Sequence, residues 1–203
     1  MRLPARSKKD FGARQQKLDA WRDIIRDEVK TLHPPPARLY SAKRAFSFPS
    51  VEAVPLDGQP ARLAADGIFA SRLTLLGVSG SRFSEAMVES WLSGVESATR
   101  ELPMMQTLRL SLVEGAVLSW LQRPLMWSMR AGVPAERRST FYCHFGDAEP
   151  VRQQLRMENR FLGYVCVVDS SATVRWHVHS SEEPADKDVS RLASLLLAEN
   201  GAR

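Results

Sequence analysis

The chain has 203 residues, 44% of them hydrophobic, with 28 Lys and Arg against 23 Asp and Glu. That suffices for one packed domain of roughly 150 residues plus an arm, and no apolar run approaches the ~20 residues of a membrane-crossing helix. A secretory signal is not expected, because no apolar stretch precedes Asp10, and two cysteines outside Cys-x-x-Cys spacing, Cys143 and Cys166, exclude a disulfide scaffold and fit buried thiols in a reducing compartment.

The charge is uneven. Residues 1–46 hold 12 Lys and Arg and 5 Asp and Glu, a net of +7, which leaves 16 against 18, a net of −2, for residues 47–203. Such an arm suits a polyanion, and Arg2, Arg6, Lys8, Lys9, Arg14, Arg38, Lys43 and Arg44 are its candidate contacts. The bland alternative is a targeting sequence. Met1 to Lys9 lacks acids and fits one, whereas Asp10, Asp19, Asp23, Asp27 and Glu28 argue against reading all of 1–46 that way.

Within the arm, Phe11, Leu18, Trp21, Ile25, Val29 and Leu32 recur at helical spacing, which predicts an amphipathic helix over about 10–32, ended by Pro34-Pro35-Pro36. Residues 47–69 read as an extended connector with a turn at Pro55-Leu56-Asp57-Gly58. From residue 70 the pattern is α/β. Arg72 to Val78 reads as a central strand covered on both faces. Ser84 is the expected N-cap of a helix that buries Met87, Val88, Trp91, Leu92 and Val95. Thr107–Val113 is a second strand, and 115–130 a helical stretch that Pro124 kinks or splits. Its Trp120 and Trp127 read as core residues, with an aromatic docking surface as the alternative. Phe141–Phe145 follows as a short strand and 149–158 as a helix. Asn159 to Asp169 and Thr173 to Trp176 form two strands around the turn Ser170-Ser171-Ala172. Pro184 marks the first turn of a last helix lined by Val189, Leu192, Leu195, Leu196 and Leu197.

Strand–helix–strand–helix followed by hairpin–helix is the order of a thioredoxin-like α/β domain, a central mixed sheet flanked by helices, over 70–203. Its enzymes place a nucleophilic cysteine after the first strand, where the helix N-terminus lowers the thiol pKa. Here that turn reads Val78-Ser79-Gly80-Ser81-Arg82-Phe83-Ser84-Glu85, with no cysteine, and no proline precedes the hairpin in Met157-Glu158-Asn159-Arg160-Phe161. Thiol exchange is therefore not expected. His177 and His179 sit at i and i+2 and could share a metal; the plainer reading is two histidines on a half-exposed strand face, and no metal or other cofactor is expected. Cys166 alternates with Tyr164 and Val168 as a small core residue. Arg175 is either an anion contact or the partner of a carboxylate such as Asp169.

Two blocks resemble the mitochondrial ATP synthase assembly factors of the ATP-ten family. Phe48-Pro49 with Pro55-Leu56-Asp57-Gly58 resembles the family's Phe-Pro entry segment. Asn159, Gly163-Tyr164-Val165, Val168-Asp169 and Val174-Arg175-Trp176 resemble its Asn…Gly-Tyr-x-x-x-Val-Asp…Ile-Arg-Trp ending. The resemblance covers about residues 46–198. It departs at His177-Val178-His179, where the family has small residues and Gly. It implies a non-redox, non-enzymatic protein of the mitochondrial matrix, with a peripheral contact to the inner membrane, that assembles the ATP synthase membrane sector by binding a newly made subunit. The charged arm supports another expectation: an accessory or assembly protein of a mitochondrial ribonucleoprotein such as the mitochondrial ribosome, with the arm on RNA.

Overall fold

The computed structural model describes residues 31–70, 72–100, 105–114 and 121–201, and Thr31 onward belongs to one compact unit. The elements in chain order are β1 (Thr31–His33), β2 (Phe46–Ser47), β3 (Glu52–Pro55), β4 (Ala61–Arg62), β5 (Leu73–Ser79), α1 (Arg82–Ala98), β6 (Met105–Val113), α2 (Gln122–Gly132), a 3-10 turn (Ala135–Thr140), β7 (Phe141–Phe145), α3 (Glu149–Leu155), β8 (Gly163–Val168), β9 (Thr173–Ser180) and α4 (Asp186–Gly201).

The strands form a mixed sheet of order β1-β9-β8-β5-β6-β7-β3-β4, with β2 also on β9. Strand β5 runs parallel to β6, and β6 parallel to β7. Strand β8 is antiparallel to β5 and to β9, with Cys166 opposite both Leu76 and His177. The strictly alternating side chains of the central strands feed two cores. Leu73, Leu75, Val165, Val167, Trp176 and Val178 face α1 and α4, where they meet Met87, Trp91, Leu92, Leu192 and Leu196. Leu76, Val78, Tyr164, Cys166 and Val168 face the other way, onto Phe48, Val51, Leu63, Phe69, Leu155 and Met157. A smaller cluster of Leu56, Met126 and Cys143 seats α2.

The expected connector is the largest correction. Residues 31–69 contribute four short strands to the sheet, with Tyr40, Phe48, Val51, Leu56, Leu63 and Phe69 all buried. Strand β1 pairs with β9 at Thr31↔Ser180, and β2 pairs with β9 at Phe46↔Val174. The arm helix cannot extend to 32, because Thr31 and Leu32 are strand; its remainder lies outside the described residues. The α1 N-cap is Ser81, not Ser84. The Ser84 hydroxyl donates back to the Ser81 carbonyl at 2.7 Å and accepts the Ser81 N–H at 3.2 Å. Pro124 stands in the first turn of α2, where its missing N–H is harmless, so it starts the helix instead of kinking it. Pro184 precedes α4 by two residues, and Leu197 of that helix is exposed.

Candidate binding site

The β5–α1 turn and the loop before β8 lie against each other at the carboxyl ends of β5 and β6, the edge where open α/β sheets bind ligands. A Cβ on Gly80 would lie 3.1 Å from the Arg160 carbonyl, and the Ser81 hydroxyl donates to the Phe161 carbonyl at 3.4 Å. The sequence places the reaction edge correctly: the two segments expected to carry a thiol and a proline meet, and they carry neither. Among the described residues no peptide bond is cis.

Charge at this edge is internally matched. Glu114, just after β6, accepts from Arg152 at 2.6 Å and pairs with Arg160 at 3.2 Å; Arg152 also reaches Glu149 at 2.8 Å. Burial alone would lower the Arg152 pKa, but the bonds to Glu114 and Glu149 outweigh it and raise it. The same Arg152 bond holds Glu149 below the usual carboxylate range. Phe83 is 59% exposed, whereas Arg160 and Phe161 are half-buried, with the Arg160 guanidinium 5.6 Å from the centre of the Phe161 ring.

Neither cysteine is in the turn. Both are fully buried, and burial pushes the Cys143 thiol up to about 12 and the Cys166 thiol well above its ordinary value. Neither cysteine of the native chain is expected to react with an aromatic disulfide reagent, and both should react in denaturant, as followed by the absorbance of released thiolate.

His177 and His179 correct a second expectation: they are buried, at 4% and 0% exposure, not half-exposed. Residues 31–48 cover them. His179 Nδ1 donates to the Gly163 carbonyl at 3.0 Å and its Nε2 accepts the Asn159 N–H at 3.2 Å, which fixes a neutral tautomer and occupies both nitrogens. His177 Nδ1 bonds the Tyr40 hydroxyl at 3.1 Å, and its ring stacks on Tyr164 at 5.3 Å. His33 meets the His177 ring edge-on at 5.0 Å. Burial, then unfavourable electrostatic interaction of an imidazolium with His33, Arg156, His179 and Arg44, lowers His177 to about 3. Burial lowers His179 to about 4, against the opposing pull of its Gly163 bond. Among the described residues no group of three His, Cys, Asp or Glu is placed to hold a metal ion.

Residues 31–48 form a strap across β9, and several motif residues hold it. Asp169 Oδ1 accepts the N–H groups of Ser171 and Thr173 at 2.9 and 3.1 Å and shapes the hairpin turn, while its Oδ2 lies 3.4 Å from Arg175. The plainer reading of Arg175 therefore holds, with Glu199 at 3.6 Å as a second carboxylate. Arg175 Nε also donates to the Tyr40 carbonyl at 3.1 Å, and the Trp176 indole N–H donates to the Pro36 carbonyl at 3.0 Å. Phe48 packs edge-on to Phe69 at 5.1 Å; Pro49 is buried beside it. Asn159 Oδ1 accepts the Phe161 N–H at 3.0 Å. At Gly163 a Cβ would lie 2.7 Å from Met87 Sδ and 3.1 Å from the Ser84 carbonyl. Gly163→Ala is expected to cost about 1–3 kcal/mol in chemical denaturation by forcing β8 off α1.

Of the arm candidates, Arg38, Lys43 and Arg44 are exposed on the strap; Arg2, Arg6, Lys8, Lys9 and Arg14 lie outside the described residues. Trp127 corrects the core reading: it is 74% exposed. Trp120 lies outside the described residues.

Fold and site together define a thioredoxin-like domain without a thiol pair at its reaction edge. A DsbE-like thiol:disulfide interchange protein of Chlorobium tepidum shares the fold at a TM-score of 0.50 and 15% identity, over 79% of this chain and 100% of that one. The profile of the ATP10 protein family matches residues 13–195, and the chain belongs to that family. The match begins well before residue 46, so the strap and most of the arm fall within it. The chain is 27% identical over 160 residues to the mitochondrial ATPase complex subunit ATP10 of Eremothecium gossypii, and 23% identical over 171 residues to that of Saccharomyces cerevisiae. Each alignment takes in 76% of this chain, but the chain spans only 58% and 60% of those proteins.

Proposed function

We propose that this chain is a mitochondrial assembly factor for ATP synthase that works by holding a subunit, without catalysis, and that the Phe83–Arg160–Phe161 edge is its holding surface. Family membership supports the complex and the compartment. One observation of the site supports binding over thiol chemistry: the turn between β5 and α1 offers serines and an exposed Phe83 where a thiol enzyme offers its nucleophile. Aromatic and Arg side chains at a water-facing edge suit the capture of an apolar segment. We place the protein in the matrix, peripheral to the inner membrane; no helix among the described residues is long and apolar enough to cross a membrane. The ribonucleoprotein expectation draws no support from the family match.

The test is complementation of cells lacking the chain, with assembled ATP synthase read on native gels. Restoration by the parent and by the Cys143→Ala/Cys166→Ala variant, and loss in Phe83→Asp with an unchanged melting temperature, is the expected result. Unchanged ATP synthase in the deletion strain overturns the client; loss of assembly in a folded cysteine-free variant overturns the absence of catalysis.

A further inference from the structure

A pocket of about 460 Å³ lies where the β3–β4 hairpin, β7 and the first residue of α2 meet. Its floor follows from the register. Val54 of β3 stands opposite Cys143 of β7, so these two share a face of the sheet with Glu52 and Phe145, each two residues along its own strand. Arg62 of β4 stands opposite Glu52. Val54, Cys143 and Phe145 make the pocket apolar beneath, while Glu52, Arg62, Asp66 and Gln122 make it polar at the rim. His144 Nδ1 donates to the Glu52 carbonyl at 2.7 Å, which fixes the start of β3. The charges of the rim do not cancel. Arg62 is turned to Asp66, which takes its guanidinium at 3.6 Å and its backbone N–H at 2.7 Å. The Glu52 carboxylate is in no ion pair among the described residues, so two carboxylates share one guanidinium.

We infer that this pocket takes an arginine side chain of a partner protein. The stem of an arginine is apolar and lies along Val54 and Pro60, while its planar head stacks on the half-buried Phe145 ring and donates to the Glu52 carboxylate and the Gln122 amide oxygen. Lysine lacks the planar fork and the stacking, and an acidic side chain would meet Glu52 with like charge. The position of the pocket adds to its chemistry. Strand β3 runs antiparallel to β7, so Glu52 at its start lies at the same edge of the sheet as the β5–α1 turn that leads to Phe83. In the order β5-β6-β7-β3 three strand spacings separate the two, about 14 Å, which about four residues of an extended chain span. Only the source of the arginine rests on the proposed holding role: a subunit anchored at Phe83 by an apolar side chain carries its arginine about that far along the chain.

The test uses the full chain, isotope-labelled for NMR and titrated with N-acetyl-arginine amide and, separately, with N-acetyl-citrulline amide, which has the same shape without the charge. The arginine probe is expected to shift the amides around Glu52, Val54, Arg62, Gln122 and Phe145 and to leave the rest in place. The citrulline probe should bind about tenfold more weakly. Glu52→Gln should weaken the arginine probe by a similar factor and melt with the parent, since that side chain is exposed. Should it melt early, the comparison of the two probes on the parent carries the test. Phe83→Asp should titrate as the parent does, so the pocket and the client fail separately: unchanged ATP synthase in the deletion strain leaves the titration standing. Equal binding of the two probes, equal binding by parent and Glu52→Gln, or shifts scattered over the surface overturns the inference. So does displacement of residues 1–30 by the arginine probe, which would make the chain's own basic arm the occupant.

Discussion

Trp176→Ala is expected to destabilise the domain by about 3–5 kcal/mol, a large part of the stability of any domain this size. The side chain is 1% exposed and lies between β9 and α1, with its ring 5.3 Å from that of Trp91 in an edge-to-face pair. Deleting it opens a cavity in the core shared by α1 and α4. The indole N–H bond to the Pro36 carbonyl goes with it, and that carbonyl lies between β1 and Tyr40, whose own carbonyl accepts from Arg175 of β9. Trp176→Phe separates the two roles. It keeps most of the packing, loses the bond, and should show faster amide exchange in residues 37–48 than the parent. Urea denaturation and hydrogen exchange read the two effects; equal exchange in parent and Trp176→Phe would show that the indole does not hold the strap.

Acid should unfold the domain early. In the unfolded chain His177 and His179 take up protons below their ordinary value of 6.5; in the folded chain they stay neutral down to about 3 and about 4. The unfolded state therefore binds more protons across that window, so stability is full above pH 6.5 and falls as the pH drops towards 3–4. Two such groups give a slope of about 2 kcal/mol per pH unit between pH 6 and 5, above the carboxylate range. The groups facing the pair are His33, Arg44 and Arg156, which oppose protonation, Tyr40, which bonds His177, and Glu158, which favours protonation of His179. His177→Phe should halve the slope. Melting temperatures measured from pH 7 to 5 check this, and a flat profile in the parent would mean that the pair is solvated.

The parts of the fold that could be read in the sequence are those whose signal is local. The run from Leu73 to Ser79 is apolar on both faces because both are covered, and the α1 stripe of Met87, Val88, Trp91, Leu92 and Val95 is buried as its spacing implies. The empty reaction edge was legible for the same reason, since a missing cysteine needs no tertiary context. The strap was not legible. Strands of two to four residues carry no periodicity, and β1 and β2 exist only because β9 offers its edge far away in sequence. The histidines were misjudged through the same gap: polar residues alternating with Val178 look half-exposed until Tyr40 and Phe46 are laid over them. Trp127 failed differently. Leu125, Met126, Trp127 and Met129 surround the helix with apolar residues, and only the small cluster under Met126 decides which of them is outside.

The hydrogen bond between Thr31 and Ser180 spans 149 positions. A ribosome makes the first partner long before the second, and a translocation channel that admits the N-terminus first delivers them in the same order. Through that interval Tyr40, Phe46 and Phe48 have no surface to cover, and the edge of β9 does not yet exist. Closing so long a loop is slow, and it comes last. Until the final hairpin arrives, then, the protein is itself a client, with sticky aromatic residues that something else must shield.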